Sequence, residues 1–376
     1  MNGSPNPDRV DTIIVGGGQA GLATAHYLKL AGVECLVLDS HRRIGDQWRE
    51  RWDSLMLNTP RHRNSLPGVR FPEGPAFASA GELADYLEAY ADKLGVTVRT
   101  GVAVTGIERI GSGEWRVTCY DASYLAWNVV VATGGERHPR VPEFADQLDP
   151  GIRQLHSSAY RNPSQLLPGS VLVVGAGQSG ADLAAECARS GHETVLSGRI
   201  KAEVPFAIDS VMSRITFPVL WFLANHVLTE RTPIGRKVKP AVRSGSTAPL
   251  VRVRSVDLDR AGVRRVEART VGVRDGMPLL ADGRVPEVRN VLWCTGFGQD
   301  FSIIRPPVTD EHGWPTDSGG IMTELPGLYF MGLLFQRGFY SMLIGGVGRD
   351  AKYIAEHIAA RSGALQGPVP EAHRVG

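Results

Sequence analysis

Along this chain, short runs of β-branched and aliphatic residues are each followed by stretches whose apolar positions recur at three- and four-residue spacing. The first pattern predicts parallel strands buried on both faces, and the second predicts amphipathic helices. The run Ile13-Ile14-Val15 passes through a cluster of glycines into a helix over 22–30, closed by Gly32, and a second strand follows at 34–39. The plan recurs: Val171 to Val174, glycines, a helix over 182–188 closed by Gly191, and a strand at 193–197. Each copy is a βαβ unit.

The echo continues. Strand-like runs at 102–107, 115–120 and 129–131 lead into Ala132-Thr133-Gly134, and runs at 263–266, 270–273 and 291–294 lead into Thr295-Gly296. The spans from Gly16 to Gly134 and from Gly175 to Gly296 agree to within three residues. Outside the repeat, Ser79 and Glu82 form a capping box that opens a helix with Leu83, Tyr86, Leu87, Tyr90 and Leu94 on its core face. The run 327–332 returns the chain to the first unit, with a helix at 349–360 packed on it.

Both glycine clusters read G-x-G-x-x-G: Gly16, Gly18 and Gly21, then Gly175, Gly177 and Gly180. In such a loop the first glycine makes the turn, the second lets a pyrophosphate approach the backbone and the third lets helix and strand pack closely. The anion then sits on the amides of the helix N-terminus, contributed by Gln19 and Ala20 in one copy and Gln178 and Ser179 in the other. The second strands end differently. Asp39 suits a dinucleotide with a free ribose 2′-hydroxyl, FAD or NAD, whereas Ser197 and Arg199 suit the 2′-phosphate of NADPH. Two such sites in one chain point to electron transfer from a nicotinamide to a flavin.

Composition narrows the partners. At about 150 residues per domain, 376 residues make two to three domains. With 43% hydrophobic and 21% charged residues the chain is globular. Lys+Arg 41 against Asp+Glu 39 gives no field to attract nucleic acid, leaving a small-molecule substrate as partner, with oligomerisation open. Four scattered cysteines, without C-x-x-C, exclude a redox disulfide and a zinc site. The apolar stretch 215–228 is short for a membrane span and is broken by Pro218, Asn225 and His226; it reads as packing or as the wall of a substrate path. The polar residues 1–9 carry no export signal, so a cytoplasmic location is expected.

The paired glycine motifs, Ile44-Gly45-Asp46-Gln47-Trp48, Asn58-Thr59, His156 to Tyr160 and the two Thr-Gly strand ends together resemble the class B flavin-dependent monooxygenases, including the flavin-containing and YUCCA-like enzymes, over nearly all of 10–360. Asp46 stands where that family usually has a second glycine, and Tyr160 in place of Trp leans away from its Baeyer–Villiger branch. The resemblance implies an α/β fold of two doubly wound Rossmann-like dinucleotide-binding domains. An NADPH domain, 161–290, is inserted in an FAD domain, 1–160 and 291–376.

It also implies FAD and NADPH as cofactors, O2 as a partner beside the substrate, and oxygenation of an amine nitrogen or sulfur through a C4a-hydroperoxyflavin. Asn58 then faces the flavin, and Gln47, Trp48, Thr59, Val104, Thr133, Gly134, Thr295 and Gly332 join the cofactor contacts. From the residues alone, Asn58 also reads as a turn cap ahead of Pro60, Trp48 as core, and His156 as a structural residue with no acid/base duty. An NADPH-dependent reductase or oxidase and a non-catalytic dinucleotide sensor remain the alternative functions.

Overall fold

The computed structural model of the protein describes residues 8–111, 113–135, 138–205, 218–219, 221–244 and 249–366. In chain order the strands are β1 (Asp8–Val15), β2 (Cys35–Leu38), β3 (Thr97–Arg99), β4 (Val104–Arg109), β5 (Trp115–Cys119), β6 (Ser123–Val131), β7 (His138–Pro139), β8 (Arg153–His156) and β9 (Val171–Val174). They continue as β10 (Thr194–Ser197), β11 (Arg264–Val266), β12 (Thr270–Arg274), β13 (Met277–Leu280), β14 (Asn290–Trp293), β15 (Phe297–Gly298), β16 (Ile304–Arg305) and β17 (Leu328–Phe330). The first helices are α1 (Gln19–Leu30), α2 (Asp46–Arg49), α3 (Ala80–Leu94) and α4 (Gln178–Arg189).

Among the described residues two large sheets result, as the repeated pattern predicts, beside two two-stranded ones. The larger has the order β16-β4-β5-β6-β1-β2-β3, with β17 added in parallel to β6. The smaller is fully parallel, β11-β10-β9-β14-β8. Ile13 and Ile14 in β1, and Val171 to Val173 in β9, are fully buried, as strands covered on both faces require. The copies differ in their antiparallel parts: β4 and β5 continue the first sheet, whereas β12 and β13 form a separate hairpin.

The edges of the domains depart from the sequence reading. Strands β8 and β14 belong to the second sheet, so the boundaries at 160/161 and 290/291 fall inside it. The chain passes between sheets at the antiparallel pair β7–β15, where Phe297 faces Pro139 and Gly298 faces His138. The sequence Arg153-Gln154-Leu155-His156 hides β8 because an edge strand tolerates polar residues.

Helix α1 is sandwiched between the first sheet and the helix Ile344–Gln366, with Leu22, Leu28, Ile354 and Ile358 in one core. That last helix starts earlier than expected because Gly345 lets its first turn press on the chain: a Cβ there would lie 1.8 Å from the Arg63 carbonyl oxygen. Residues 215–217 and 220 of the apolar stretch lie outside the described residues. Within the rest, Val219 and Phe222 are more than half exposed, so they are not core. No described helix is long and apolar enough to cross a membrane.

The capping box of α3 forms as the sequence predicts. Glu82 N donates to Ser79 Oγ at 3.1 Å, and Ser79 N donates to Glu82 Oε2 at 2.8 Å. Tyr86 and Tyr90 are buried, and their hydroxyls donate to the Val69 and Pro67 carbonyls, pinning the loop that precedes the helix. Arg61 bonds Glu82 Oε1 at 2.7 Å and the Pro75 carbonyl at 2.6 Å.

Replacing Ser79 with Ala is expected to lower unfolding free energy by about 1 kcal/mol. The Ser79 amide first, and Arg61 after it, hold the Glu82 carboxyl below its usual value of 4.5. Its contribution is therefore present above that value and is lost as pH falls through the lowered one. In urea titrations, the stability advantage of the native chain over Glu82→Gln should persist at neutral pH and shrink in acid.

Candidate active site

The two glycine loops are built alike. A Cβ on Gly16 would lie 2.4 Å from the Ala132 carbonyl oxygen, and one on Gly175 would lie 2.4 Å from that of Cys294. Both residues have positive φ, 111° and 107°. A Cβ on Gly21 would meet the Gly16 oxygen at 1.9 Å, and one on Gly180 the Gly175 oxygen at 1.8 Å. The first and third glycines are thus imposed by the fold itself. The middle ones are not: Gly18 and Gly177 have φ of −77° and −85°, open to any residue, and nothing lies within 4 Å of a Cβ on Gly177. A glycine the protein does not require, at the start of a helix, is room for a ligand.

The second strands then separate the two copies. Asp39 is 5% exposed, and its carboxylate accepts from Gly17 N at 2.6 Å, His41 N at 2.8 Å and His41 Nδ1 at 2.9 Å. The strand registers, Val15 with Leu38 and Val174 with Ser197, make Gly198 the counterpart of Asp39. Ser197 therefore corresponds to Leu38, and its buried hydroxyl bonds the Ala268 carbonyl and Thr270 Oγ1, both at 2.9 Å. That hydroxyl is thus spent on the protein. Gly198, at φ 125°, puts no side chain beside the Ala176 amide, and Arg199 is exposed without a hydrogen-bond or ion-pair partner among the described residues.

Around the first loop the structure gathers the expected neighbours. A Cβ on Gly332 would lie 2.9 Å from Ala20 Cβ, one on Gly16 would lie 3.3 Å from Thr133 Cα, and one on Gly18 would lie 3.3 Å from Gln47 Nε2. Gly134, at φ 75°, follows on the same turn. Val104 lies two residues beyond Val102, whose amide donates to the Asp39 carbonyl. Helix α2 carries Gln47 and Trp48 and is fastened to α3 by Arg49, which pairs with Asp46, Asp85 and Glu88 at 3.1, 2.8 and 2.7 Å. Asp46 thus takes a structural place.

Gln47 Oε1, Trp48 Nε1, Trp52 Nε1 and Asn58 Oδ1 are all buried without a hydrogen-bond partner. Each would cost about 1–3 kcal/mol if left unmet, so this segment fits a polar ligand. The free Asn58 oxygen also disposes of a turn-capping role for that atom. Trp48 packs against the cores of both domains, placing it at their seam. Other expected hydroxyls and amides are spent on the protein: Thr59 Oγ1 on Asn64 Oδ1 at 2.5 Å, Thr295 Oγ1 on the Arg140 carbonyl, and Gln178 Nε2 on the Pro249 carbonyl.

His156 is buried. Its Nε2 donates to the Gly296 carbonyl at 3.1 Å, and Ser158 N donates to Nδ1 at 3.2 Å, which fixes the neutral tautomer; burial pushes its pKa down. It braces the junction, with both ring nitrogens engaged by the protein. The four cysteines are free, and burial raises Cys187 to about 12. No group of side chains suited to a metal occurs among the described residues. The reading from sequence passed over His41, which clamps Asp39 from two residues away. Its only signal was a polar turn after the strand.

The family model for pyridine nucleotide-disulphide oxidoreductases matches residues 13–209. A CzcO-like oxidoreductase of Geobacillus kaustophilus, itself uncharacterized, is 37% identical over 93% of this chain and 98% of its own. The chain belongs to the pyridine nucleotide-disulphide oxidoreductase family. Within it the protein falls among the flavin monooxygenases. The probable indole-3-pyruvate monooxygenase YUCCA1 of Arabidopsis thaliana is 28% identical over 92% of this chain and 89% of its own. The structure of a flavin-containing monooxygenase from Stenotrophomonas maltophilia superposes with a TM-score of 0.76 at 25% identity, covering 95% of this chain and all of the other.

In this flavin monooxygenase the third and second glycines should respond differently to substitution. Gly180→Ala is expected to destabilise by about 1–3 kcal/mol through overpacking. Gly177→Ala should leave the melting temperature near that of the native chain while weakening dinucleotide binding, checked by thermal melts with and without nucleotide.

Proposed function

We propose that this flavin monooxygenase holds FAD on the first glycine loop and NADPH on the second, and uses dioxygen to oxygenate a small soft nucleophile, an amine nitrogen or a sulfur. The observation that carries the reading is the pair of matched cradles whose strand ends differ, Asp39 in one and Gly198-Arg199 in the other. When bound, FAD supplies the hydride acceptor and the centre at which dioxygen is activated.

The chain's residues position and protect that chemistry. Gly17 and His41 hold the Asp39 carboxylate in place, with acceptor capacity left for ribose hydroxyls. The exposed Arg199 offers a paired set of donors to a 2′-phosphate, and the missing side chain at Gly198 leaves room beside the Ala176 amide. Asn58 contributes a neutral amide, able to accept and donate without bringing charge into the pocket. Trp48, wedged between the two cores, excludes water from the seam. His156 keeps the junction rigid in its neutral form.

Purified protein should carry a yellow chromophore released as FAD on denaturation; colourless protein that cannot be reconstituted overturns the reading. Arg199→Glu should lower the preference for NADPH over NADH, measured as a ratio of kcat/KM, by about tenfold or more. Asn58→Leu should retain bound flavin and oxidise NADPH while releasing hydrogen peroxide in place of oxygenated product. Stoichiometric peroxide from the native enzyme with every amine and sulfide acceptor would favour an oxidase.

A further inference from the structure

A cavity of about 560 Å³ lies away from both glycine loops, between the segment 225–232 of the second domain's crossover and the helix Ile344–Gln366. Its volume is that of a small-molecule site. The walls are fixed by tertiary contacts: Thr229 bridges Gly338, Glu230 N donates to the Arg337 carbonyl at 2.9 Å, and Arg349 Nη1 donates to the Asn225 carbonyl at 3.0 Å.

Two arginines dominate its chemistry. Arg337 has a side chain only 14% exposed and lies 4.0 Å from the Tyr353 ring centroid, and Arg349 lies 4.8 Å from that of Tyr340. Each guanidinium thus sits over a tyrosine ring. Among the described residues the protein engages only Nη1 of each: Arg337 through Asp350 Oδ1 at 3.3 Å and the Arg349 carbonyl at 3.5 Å, and Arg349 through Asn225. The Nε and Nη2 donors of both remain unspent, and a guanidinium presents them as a fork that matches a carboxylate.

The acids on the cavity's rim do not cancel this charge. Glu230 is taken by Lys239 at 3.3 Å and Glu356 by Lys352 at 3.8 Å. Arg231 adds a further cation without a partner among the described residues. Asp350 and the Arg349 carbonyl engage Nη1 of Arg337, and Asn225 engages Nη1 of Arg349, which leaves the other guanidinium donors and the open volume beside Tyr340 and Tyr353 to a ligand.

We propose that this cavity binds a small aromatic carboxylate, its oxygens on Arg337 and Arg349 and its ring among Tyr340 and Tyr353. The site is additional to the two dinucleotide cradles and does not rest on the reading of either.

The test uses the full chain with its flavin and phenylacetate as probe, with phenylacetamide as its uncharged counterpart, read by saturation-transfer NMR and calorimetry. Phenylacetate should bind, and phenylacetamide should bind about tenfold more weakly or not at all. Arg349→Gln, at an exposed position, and Arg337→Lys, which keeps a cation for Asp350, should each weaken phenylacetate about tenfold while flavin content and melting temperature are retained. The proposal is overturned if the amide binds equally well, if Arg349→Gln binds phenylacetate like the native chain, if excess NADPH displaces the probe, or if inorganic phosphate competes at equal concentration. Because the readout is binding, failure of the monooxygenase reading would not imitate failure here.

Discussion

Strand and helix meet in this protein across a gap too narrow for a methyl group. At Gly21 and again at Gly180, the first turn of a helix rests on the carbonyl of the glycine that ended the preceding strand, at a distance no Cβ survives. That contact aims the free amides of α1 and α4 at one point beyond each sheet, and the rest of the site is arranged around those two points. The first glycine serves the same end by pressing on the chain just past the neighbouring parallel strand, at Ala132 after β6 in one copy and at Cys294 after β14 in the other.

From that shared frame the copies diverge by one residue. In the first, the position after the second strand is a buried carboxylate, fixed by the loop amide of Gly17 and by His41. In the second it is a glycine in a left-handed conformation, and the side chain that follows is an arginine without a partner among the described residues. The two strand ends thus carry opposite charges one residue apart in register, on backbones of the same geometry. Between them, the short helix α2 is pinned to α3 by Arg49, so that Gln47 and Trp48 reach the seam from a rigid support. Four buried polar atoms without a hydrogen-bond partner among the described residues, on Gln47, Trp48, Trp52 and Asn58, lie along this one short segment, whereas the Thr59 and Thr295 hydroxyls are satisfied by the protein.

The crossover of the second domain adds a further level of organisation. Its residues Asn225 to Thr232 and the helix Pro233–Arg243 return to the first domain, where Lys239 and Arg243 donate to the Gln336 and Leu334 carbonyls. Gln336, itself fully buried, bonds the carbonyls of Phe330 and Gly319 and thereby holds the loop that begins at Gly332 beside α1. The two domains are thus joined at a second place besides the β7–β15 pair, and the arginine-lined cavity lies along this join.

The sequence by itself determined the duplication, the strands β1, β2, β9, β10 and β14, the helices that follow the glycine loops, the α3 cap and the charge difference between Asp39 and Arg199. Each of these is written in local periodicity or in a residue whose backbone freedom or charge is specific. Only the tertiary structure decided that Ser197 faces inward, that β8 pairs with β14, and that Thr59, Gln178 and Thr295 are occupied by neighbours. It alone brought Arg349 onto Asn225. The physical reason is that strand register and side-chain pairing join positions more than 100 residues apart, such as Thr295 with Arg140 and Asn225 with Arg349. A local pattern records which residues want burial or a partner, but the partner is named only when the chain closes on itself.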